Sequence, residues 1–426
     1  MREHRAALAL LATLSVTATA CRPGEAPASP QPLPARVTAG ATEGRAPAVR
    51  VGIAVGVDSL AITGPADLTG AAEQRAYLTT GERWVARAVG SAIVAVTQGR
   101  PPIRTMSGLT VSAGTEGLIA AGGRTYRGTL LIRSAGADRI TAVNVIDLEE
   151  YLLGVVPHEI GRRPASEIEG VKAQAVAART YAVGNLGGRE PLGFDFYATT
   201  QDQLYLGAAD EDSIATRAVR ETRGEIVTWN GLPILAYYSS TCGGQTAAIE
   251  ESWPWRAPLP YLKSVSDRMP GTDSAYCAVS NRFRWTTSWT RAELLAVLGE
   301  SLRMHMTGAT PAPRTIESLE RIDAGRSGRI SLRLTTDRGS VTLRADSVRW
   351  VLRTAPGGAI LNSSRIDGVD VHRANGMVER VEIRGGGWGH GIGMCQVGAL
   401  GRARAGQSYQ EILLAYYTNT RVTRLY

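Results

Sequence analysis

An alanine-rich stretch at residues 169–183, EGVKAQAVAARTYAV, limits the possible folds more than any other part of the chain. Its apolar residues recur at the spacing of one helix face, and Ser166 with Glu169 three residues later forms a capping box that predicts the helix start. Because most side chains of this face are small, neighbouring elements can approach it closely. The sequence therefore predicts a central, tightly packed helix.

One acidic residue, Glu159, lies at the end of a largely apolar segment just before this helix. The segment, EEYLLGVVPHEI at residues 149–160, contains a predicted bend at Pro157. Partial burial among Val155, Val156 and Ile160 would raise the pKa of the carboxyl group, as proton transfer to a substrate requires. Glu159 is therefore a candidate catalytic acid or base. The alternative is a surface residue that caps a helix or forms an ion pair.

The chain carries a modest excess of positive charge. Among its 426 residues, 47 Lys and Arg oppose 39 Asp and Glu, which gives a formal net charge of +8. This excess favours anionic surroundings such as nucleic acid, membrane headgroups or wall polymer. The basic residues form no long block and no stripe interleaved with aromatics, which argues against nucleic acid. With 48 Gly and only 3 Phe, the composition favours strands joined by tight turns.

The first residues have the pattern of an export signal. Arg2 and Arg5 precede an apolar run at residues 6–16 that is too short to span a bilayer, and small residues then lead to Cys21. We predict a signal peptide at 1–20 and a Pro/Ala-rich tether at 21–48. Cys21 is a candidate for lipidation, with simple cleavage as the alternative. The expected location is the cell envelope, in the periplasm or on the outer face of a membrane.

Short alternating apolar segments separated by turn residues dominate two parts of the chain. We predict a β-rich N-terminal part at 49–146 and a core at 147–426 that carries a β-rich insertion at about 266–375. Asn230 and Gly231 predict a two-residue hairpin turn. The predicted fold class is α+β and β-rich, with a central alanine-rich helix and two lobes forming a substrate groove.

Two glycine-rich segments flank side chains that can contact a ligand. The first is CGG at residues 242–244, and the second is GGGWGHGIG at residues 385–393, which surrounds Trp388 and His390. Glycine lets a backbone approach a neighbour or ligand closely, and ordering so many glycines costs conformational entropy. No GK[ST] follows, so the second segment is not a phosphate loop. We interpret His390 as lining a site; a core histidine is the alternative.

Five segments, in the same order, resemble the SpoIID/LytB family, named for a sporulation peptidoglycan enzyme and an amidase enhancer. They read EEYLLGVVPHEI, EGVKAQAVAARTYA, TTQDQLYLG, ILAYYSSTCGGQT and GWGHGIGMCQVGA, and the resemblance extends from about residue 49 to the C-terminus. In that family the glutamate corresponding to Glu159 is the catalytic acid of a lytic transglycosylase, which cuts the glycan strands of peptidoglycan. The resemblance implies that the CGG and GHG segments line the substrate groove.

The resemblance also implies chemistry with one carboxyl group. Glu159 would protonate the glycosidic oxygen between MurNAc and GlcNAc and then accept the proton of the MurNAc 6-hydroxyl, leaving a 1,6-anhydro end. Ordinary glycosidases need two carboxylates, and Asp202 is the best candidate for a second, with a turn-capping role as the alternative. The residues expected to bind substrate are Arg179, Gln201, Asp202, Tyr205, Ser240, Gly243, Gly244, Gln245, Trp388, His390 and Gln396.

A non-catalytic role is the alternative function. The resemblance to amidase enhancers implies a glycan-binding protein that presents strands to an N-acetylmuramoyl-L-alanine amidase. A zinc hydrolase built on His390 and the cysteines is a third hypothesis. The expected partners are peptidoglycan glycan strands, a cell-wall amidase under the alternative function, and a membrane through the lipid anchor. Nucleic acid is not expected.

Three cysteines besides Cys21 make an odd number for an oxidising compartment. We predict a disulfide between Cys242 and Cys277, because both flank the same insertion, and no cofactor. Zinc bound by Cys242, Cys277, Cys395 and His390 is the competing hypothesis, since some family members are reported to bind a metal through Cys and His. No close CxxC pair supports it. Cys395 stands where many relatives have serine and is expected to line the groove or pack as a small residue.

Overall fold

A computed structural model describes residues 44–70, 74–113, 117–305, 312–324 and 327–426. The predicted signal peptide, Cys21 and most of the tether lie outside these residues. Within the described ranges, no helix is long and apolar enough to cross a membrane.

Short strands precede the first helix, and their side chains alternate between core and solvent. One of them, Arg83–Val89, buries Trp84, Ala86 and Ala88 on one face. The strands are β1 Ala48–Val57, β2 Ser59–Thr63, β3 Ala66–Thr69, β4 Arg75–Leu78, β5 Arg83–Val89, β6 Ala92–Val96, β7 Ile103–Thr105, β8 Leu109–Ala113, β9 Ile119–Ala121, β10 Arg124–Tyr126, β11 Thr129–Gly136 and β12 Arg139–Asp147.

These strands form two sheets that share one hydrophobic core. The first has the order β13-β1-β12-β11-β8-β3-β4, where β13 is Phe196–Tyr197, and the second has the order β10-β9-β2-β5-β6-β7. Val51 and Leu68 of the first sheet and Ile62 and Trp84 of the second belong to the same buried cluster. This first core supports the helices that follow.

Helix α1, Leu148–Ile160, begins directly after β12. The Asp147 carboxylate accepts a hydrogen bond from the Glu149 backbone N–H at 2.8 Å and so caps the helix. The helix continues through Pro157, so the proline does not end it, and the predicted bend stays a prediction. Proline removes one intrahelical hydrogen bond, but Val155, Val156 and Ile160 are packed in the first core and hold the turn in place. Glu159 consequently lies in the last turn of a helix.

The alanine-rich helix α2, Ile168–Gly184, lies between two cores, as its composition predicts. Ala175 and Ala178 pack in the first core, whereas Ala173 and Ala177 pack in a second core. The close approach is direct at Gly170, where a Cβ would lie 3.0 Å from a methyl group of Leu400. The central position of the helix is therefore confirmed.

The predicted capping box of α2 is wrong. Ser166 lies in a 3₁₀ turn, Ala165–Glu167, and α2 begins at Ile168 without a side-chain cap. The Glu169 carboxylate is engaged elsewhere: it accepts hydrogen bonds from Lys172 Nζ at 2.8 Å and from the Tyr409 backbone N–H at 2.9 Å. Tertiary contacts thus override the local capping pattern.

The second core combines the opposite face of α2 with a hairpin and the C-terminal helices. Asn230 and Gly231 have φ of 50° and 79°, which confirms the predicted two-residue turn. The elements after α2 are a 3₁₀ turn at Glu190–Leu192, α3 Ser213–Glu221, β14 Glu225–Trp229, β15 Leu232–Pro233, β16 Tyr238–Ser239 and α4 Ile249–Ser252.

A third core begins in the region predicted to be an insertion and extends beyond residue 375, since Val378, Val381 and Ile383 belong to it. Two three-stranded sheets, β17-β22-β21 and β18-β19-β20, surround a cluster that includes Trp289, Leu298 and Leu334. The elements are β17 Trp285–Thr290, α5 Arg291–His305, β18 Ile316–Ala324, β19 Ile330–Thr336, β20 Gly339–Leu343, α6 Ser347–Val351, β21 Ile366–Ala374 and β22 Met377–Gly385.

The chain ends with β23 Met394–Cys395, α7 Gln396–Arg404, α8 Tyr409–Tyr416 and β24 Arg421–Arg424. Strand β23 pairs in parallel with β16, which aligns Tyr238 with Met394 and Ser239 with Cys395. The fold is α+β and β-rich around the alanine-rich helix, as predicted. The two lobes, their groove and the domain bounds stay predictions.

Candidate active site

Glu159 is positioned by three parts of the chain that are distant in sequence. The last turn of α1 carries it, and its Oε1 accepts a hydrogen bond from the Leu204 backbone N–H at 2.8 Å. The amide of Gln396, the first residue of α7, donates to the Glu159 backbone carbonyl at 3.0 Å and to Gln174 Oε1 of α2 at 3.3 Å. These contacts fix both the backbone and the carboxyl group of Glu159.

A buried polar network lies beside this carboxyl group. The Tyr151 hydroxyl donates to Gln203 Oε1 at 3.2 Å, and Gln203 Nε2 donates to the Tyr238 hydroxyl at 3.0 Å. Burial, and after it the nearby charge of Glu159, raises the pKa of the Tyr238 phenol. Tyr238 therefore stays neutral and can donate its hydroxyl proton towards the site.

Burial raises the pKa of the Glu159 carboxyl above its ordinary value. The hydrogen bond from the Leu204 N–H and the adjacent amide of Gln396 lower the pKa and only partly oppose this effect. Neither of those groups is acidic, so repulsion by a second carboxylate is not the cause. The site holds a protonated acid more readily than an ordinary glutamate does.

Asp202 has the turn-capping role that was its predicted alternative. Its carboxylate accepts hydrogen bonds from Arg189 Nη2 at 2.9 Å, from the Tyr181 hydroxyl at 3.2 Å and from the Tyr197 backbone N–H at 2.8 Å. No hydrogen bond among the described residues joins Asp202 to Glu159. The structure thus gives no second carboxylate bonded to the candidate acid.

His390 is enclosed by aromatic rings and is neutral. The ring centroids of Trp253 and Tyr237 lie 5.2 and 6.0 Å from that of His390. His390 Nδ1 accepts from the Ile392 backbone N–H at 3.0 Å, and the imidazole also hydrogen-bonds the Tyr238 backbone. Burial lowers the pKa of His390 to about 4. His390 is half-buried and does not belong to the group of metal-capable side chains around the cysteines. Its site-lining role stays a prediction.

Trp388 presents an open aromatic face. Its side chain is 44% exposed although it stands between glycines, and the Arg282 guanidinium lies 4.4 Å from its ring centroid. An exposed, immobilised ring of this kind suits stacking against a sugar.

Glycines in the two loops allow the two backbones to pack against each other. Thr241 and Trp388 form an antiparallel bridge, and a Cβ on Gly243 would lie 2.9 Å from the backbone carbon of Gly386. Gly243, Gly244 and Gln245 then line a cavity of about 260 Å³ that Arg284 and Arg365 also line. Close backbone packing explains Gly243, whereas Gly244 and Gln245 are accessible to a ligand.

The prediction that Arg179 and Tyr205 bind substrate is wrong, because both side chains are buried. Arg179 is 0% exposed, and its guanidinium donates to both Glu149 carboxylate oxygens at 2.7 and 2.8 Å. Tyr205 is 2% exposed and donates to Asn144 Oδ1 at 2.8 Å. Their partners lie far away in sequence, so the local motif gave no sign that both are structural.

The remaining predicted residues are distributed around the site. Gln201 is exposed on the loop before Leu204, and Gln245 donates to Ser264 Oγ at 2.8 Å. Ser240 is half-buried, and its backbone carbonyl accepts from the Val397 N–H at 3.0 Å. Substrate contact by these residues stays a prediction.

The cysteines do not form the predicted disulfide. Cys242, Cys277 and Cys395 are free and buried, and the Sγ atoms of Cys242 and Cys277 lie 3.6 Å apart, whereas a disulfide requires about 2.05 Å. Cys395 does not line an open groove; it packs as a small buried residue. The fourth group beside the cysteines is Asp267 and not His390.

Four further residues near the two sites have no predicted role in the sequence, namely Leu204, Gln203, Tyr238 and Asp267. The first two lie in the TTQDQLYLG segment and Tyr238 lies in the ILAYYSSTCGGQT segment, so the motifs mark the regions without indicating the roles. Asp267 stands ten residues before Cys277 and has no local pattern that would single it out.

Sequence comparison places these features in a known family. A family model described as a stage II sporulation protein matches residues 136–229, and a model of a domain of unknown function matches 272–393. The chain is 34% identical to an uncharacterized protein of Brachyspira hyodysenteriae, over 66% of this chain and 67% of that protein.

Two Bacillus subtilis proteins are also similar. Stage II sporulation protein D is 31% identical over 66% of this chain and 76% of its own length. An amidase enhancer is likewise 31% identical, but the match covers 64% of this chain and only 40% of the enhancer. The first family model spans both Glu159 and α2. From these matches we conclude that the chain belongs to the SpoIID/LytB family.

Proposed function

We propose that this protein is a peptidoglycan lytic transglycosylase that cleaves the MurNAc–GlcNAc bond and forms 1,6-anhydro-MurNAc ends. The observation that carries the proposal is the desolvated Glu159 carboxyl, which Leu204 holds and to which no second carboxylate of the described residues is bonded. Similarity to a sporulation protein and to an amidase enhancer supports a role at the cell wall.

One carboxyl group is sufficient for this reaction. The Glu159 acid donates its proton to the glycosidic oxygen as the bond to C1 breaks, and the resulting carboxylate accepts the proton of the MurNAc 6-hydroxyl as that oxygen bonds to C1. Burial favours the acid before the first step, and the Leu204 N–H stabilises the carboxylate between the steps. Water takes no part.

Product analysis of wild type and two variants tests the proposal. Digested glycan strands should yield anhydro-muramyl ends with wild-type protein, and Glu159→Gln should lose this activity by about 100-fold or more, the usual contribution of a general acid. Glu150→Gln is the matched control, because Glu150 is an exposed residue of the same helix. Full activity of Glu159→Gln would refute the mechanism.

A non-catalytic amidase enhancer is the second candidate, and similarity to a protein of that name favours it. Such a protein would bind glycan strands without cutting them and would raise the rate of an added N-acetylmuramoyl-L-alanine amidase. The Glu159→Gln variant would then enhance the amidase as well as wild type does. Cleavage by the purified chain alone separates the two functions.

We also propose that the protein is exported to the cell envelope and anchored through a lipid on Cys21. The signal pattern before Cys21 supports this. Mass analysis of the mature N-terminus tests it: an acylated Cys21 is expected, and an unmodified N-terminus would refute the anchor.

A further inference from the structure

Four buried side chains from three separate segments converge within the second core. Cys242 follows β16, Asp267 and Cys277 lie on the loop before β17, and Cys395 ends β23. Each is 0% exposed, and their ligand atoms all lie within 4.8 Å of one another. We propose that these residues form a structural zinc site with three thiolates and one carboxylate.

The spacing of the ligand atoms fits one tetrahedral metal ion. Zn–S bonds of about 2.3 Å and a Zn–O bond of about 2.0 Å place neighbouring ligands roughly 3.5 to 3.8 Å apart in a tetrahedron. Cys242 Sγ lies 3.6 Å from Cys277 Sγ and 3.6 Å from Asp267 Oδ2. A four-iron cluster needs a wider cage, and hard cations such as Mg²⁺ prefer oxygen ligands.

The surrounding groups orient the ligands. Asp267 Oδ2 faces Cys242, while Oδ1 accepts a hydrogen bond from the Tyr416 hydroxyl at 2.6 Å and lies 3.6 Å from Arg402 Nε. Oδ2 also accepts the Cys277 backbone N–H at 3.2 Å and keeps a second lone pair for a metal, while outer partners hold Oδ1, an arrangement typical of metal-binding carboxylates.

Backbone N–H groups point at the sulfur of Cys395. The N–H groups of Cys242 and Gly398 donate to Cys395 Sγ at 3.2 and 3.3 Å. Such bonds stabilise a thiolate, and Cys395 also caps the N-terminus of α7. A Cβ on Gly398 would lie 2.7 Å from Asp267 Oδ2, so glycine there makes room for the carboxylate.

A metal explains the burial of this cluster better than a disulfide does. A disulfide would use two sulfurs and leave the third thiol and the Asp267 carboxylate, which is also buried, outside the bond. Zinc would engage all four ligands, release the thiol protons to solvent and bring the ligand charge from −4 to −2, with Arg402 nearby. Because four protein ligands fill a tetrahedral shell, the role is structural.

The proposed site supports the candidate active site without belonging to it. Cys395 directly precedes Gln396, whose amide holds the Glu159 backbone, and Cys242 directly precedes Gly243 at the loop contact with Gly386. The metal would tie these segments together. This inference does not depend on the proposed reaction, because metal content is measured without substrate.

Metal analysis of the purified full-length chain tests the inference. We expect about one zinc per chain by mass spectrometry of the metal, and Co²⁺ exchanged into the site should show thiolate-to-cobalt charge transfer and tetrahedral absorption bands. Chain that lacks zinc and cannot take up added Zn²⁺ would overturn the proposal. So would an intact mass of the native chain that shows a Cys242–Cys277 disulfide.

Variants distinguish this site from the alternative that uses His390. Tyr416→Phe leaves all four ligands in place but removes the hydrogen bond to Asp267 Oδ1, so zinc affinity in chelator competition should fall by about 10- to 100-fold. His390→Ala should retain one zinc. Unchanged affinity in Tyr416→Phe, or loss of zinc in His390→Ala, would contradict the assignment. Cys277→Ser should lose the metal, and the wild-type measurement stands even if that variant does not fold.

Discussion

Glu159 combines two requirements that conflict in a folded protein. The proposed general acid must hold its proton, and burial in the last turn of α1 favours this by disfavouring the charged form. The same burial makes the ionised side chain a cost to folding. The Leu204 N–H at 2.8 Å limits that cost without removing it. Stability and the proposed activity are therefore in opposition at this residue.

Replacing Glu159 by Gln should stabilise the protein at neutral pH. Because the folded-state pKa is raised, the stability that Glu159 contributes is present below its ordinary pKa and is lost as pH rises through the raised pKa. Urea unfolding at about pH 8 should show a gain near 1 kcal/mol, and the gain should shrink towards about pH 4. Tyr151 and Tyr238 do not titrate in this range, since burial raises the pKa of both.

Glu150→Gln serves as the control for this measurement, because Glu150 is exposed on the same helix. It should leave the pH dependence of unfolding as in wild type. A Glu159→Gln variant that is less stable than wild type at high pH would show that the carboxylate, not the acid, is the favoured form.

Arg179 should behave as a structural residue. Its bidentate pair with Glu149 is buried, and removing one partner leaves an uncompensated charge. Arg179→Ala should lower the free energy of unfolding by about 3 to 5 kcal/mol, measured by urea denaturation. Arg217→Ala, which breaks the exposed pair with Glu221 on α3, should cost far less. If Arg179→Ala is as stable as wild type and loses only glycan binding, Arg179 binds substrate and the structural role is contradicted.

Trp388 and Trp255 offer a matched test of sugar stacking, since they are 44% and 53% exposed. Trp388→Ala should weaken binding of glycan fragments by about 3- to 10-fold, the scale of one aromatic contact. Trp255→Ala should leave the Kd unchanged. If calorimetric titrations show the same change in Kd for both variants, Trp388 of the GHG loop does not stack against the sugar.

At the scale of elements, the two glycine loops depend on close backbone contact as well as on turn geometry. Gly243 and Gly231 both have positive φ, 73° and 79°, but only at Gly243 would a Cβ meet another backbone. Gly231→Ala should cost about 1 kcal/mol from the φ angle alone. Gly243→Ala should cost about 2 kcal/mol more because the loops must separate. If both variants lose the same free energy of unfolding in urea, the backbone contact between Gly243 and Gly386 does not contribute to stability.

Elements with a strong local pattern could be predicted from the sequence, and their ends could not. The alanine spacing located α2 because small residues fit a helix between two cores. The Ser166 capping box failed because the tertiary bonds of Glu169 outweigh the local preference. Helix α1 continues through Pro157 because its last turn packs in the first core. A propensity of a few tenths to one kcal/mol yields to burial of this kind.

At the scale of the whole molecule, the site is a product of long-range convergence. Glu159, Leu204 and Gln396 are brought together by α2, which packs against α1 and α7. Short motifs identified Glu159 and the loops because each carries its own pattern. The pairing of Arg179 with Glu149 and of Asp267 with the cysteines has no local signature, since only the folded topology sets those neighbours.

Digestion of glycan strands in water enriched in ¹⁸O tests the proposal that Glu159 acts alone and that the MurNAc 6-hydroxyl replaces water. We predict newly formed anhydro-muramyl ends that carry no ¹⁸O, with Glu150→Gln giving the same products as wild type. Reducing ends that contain one ¹⁸O atom would show hydrolysis and contradict this mechanism.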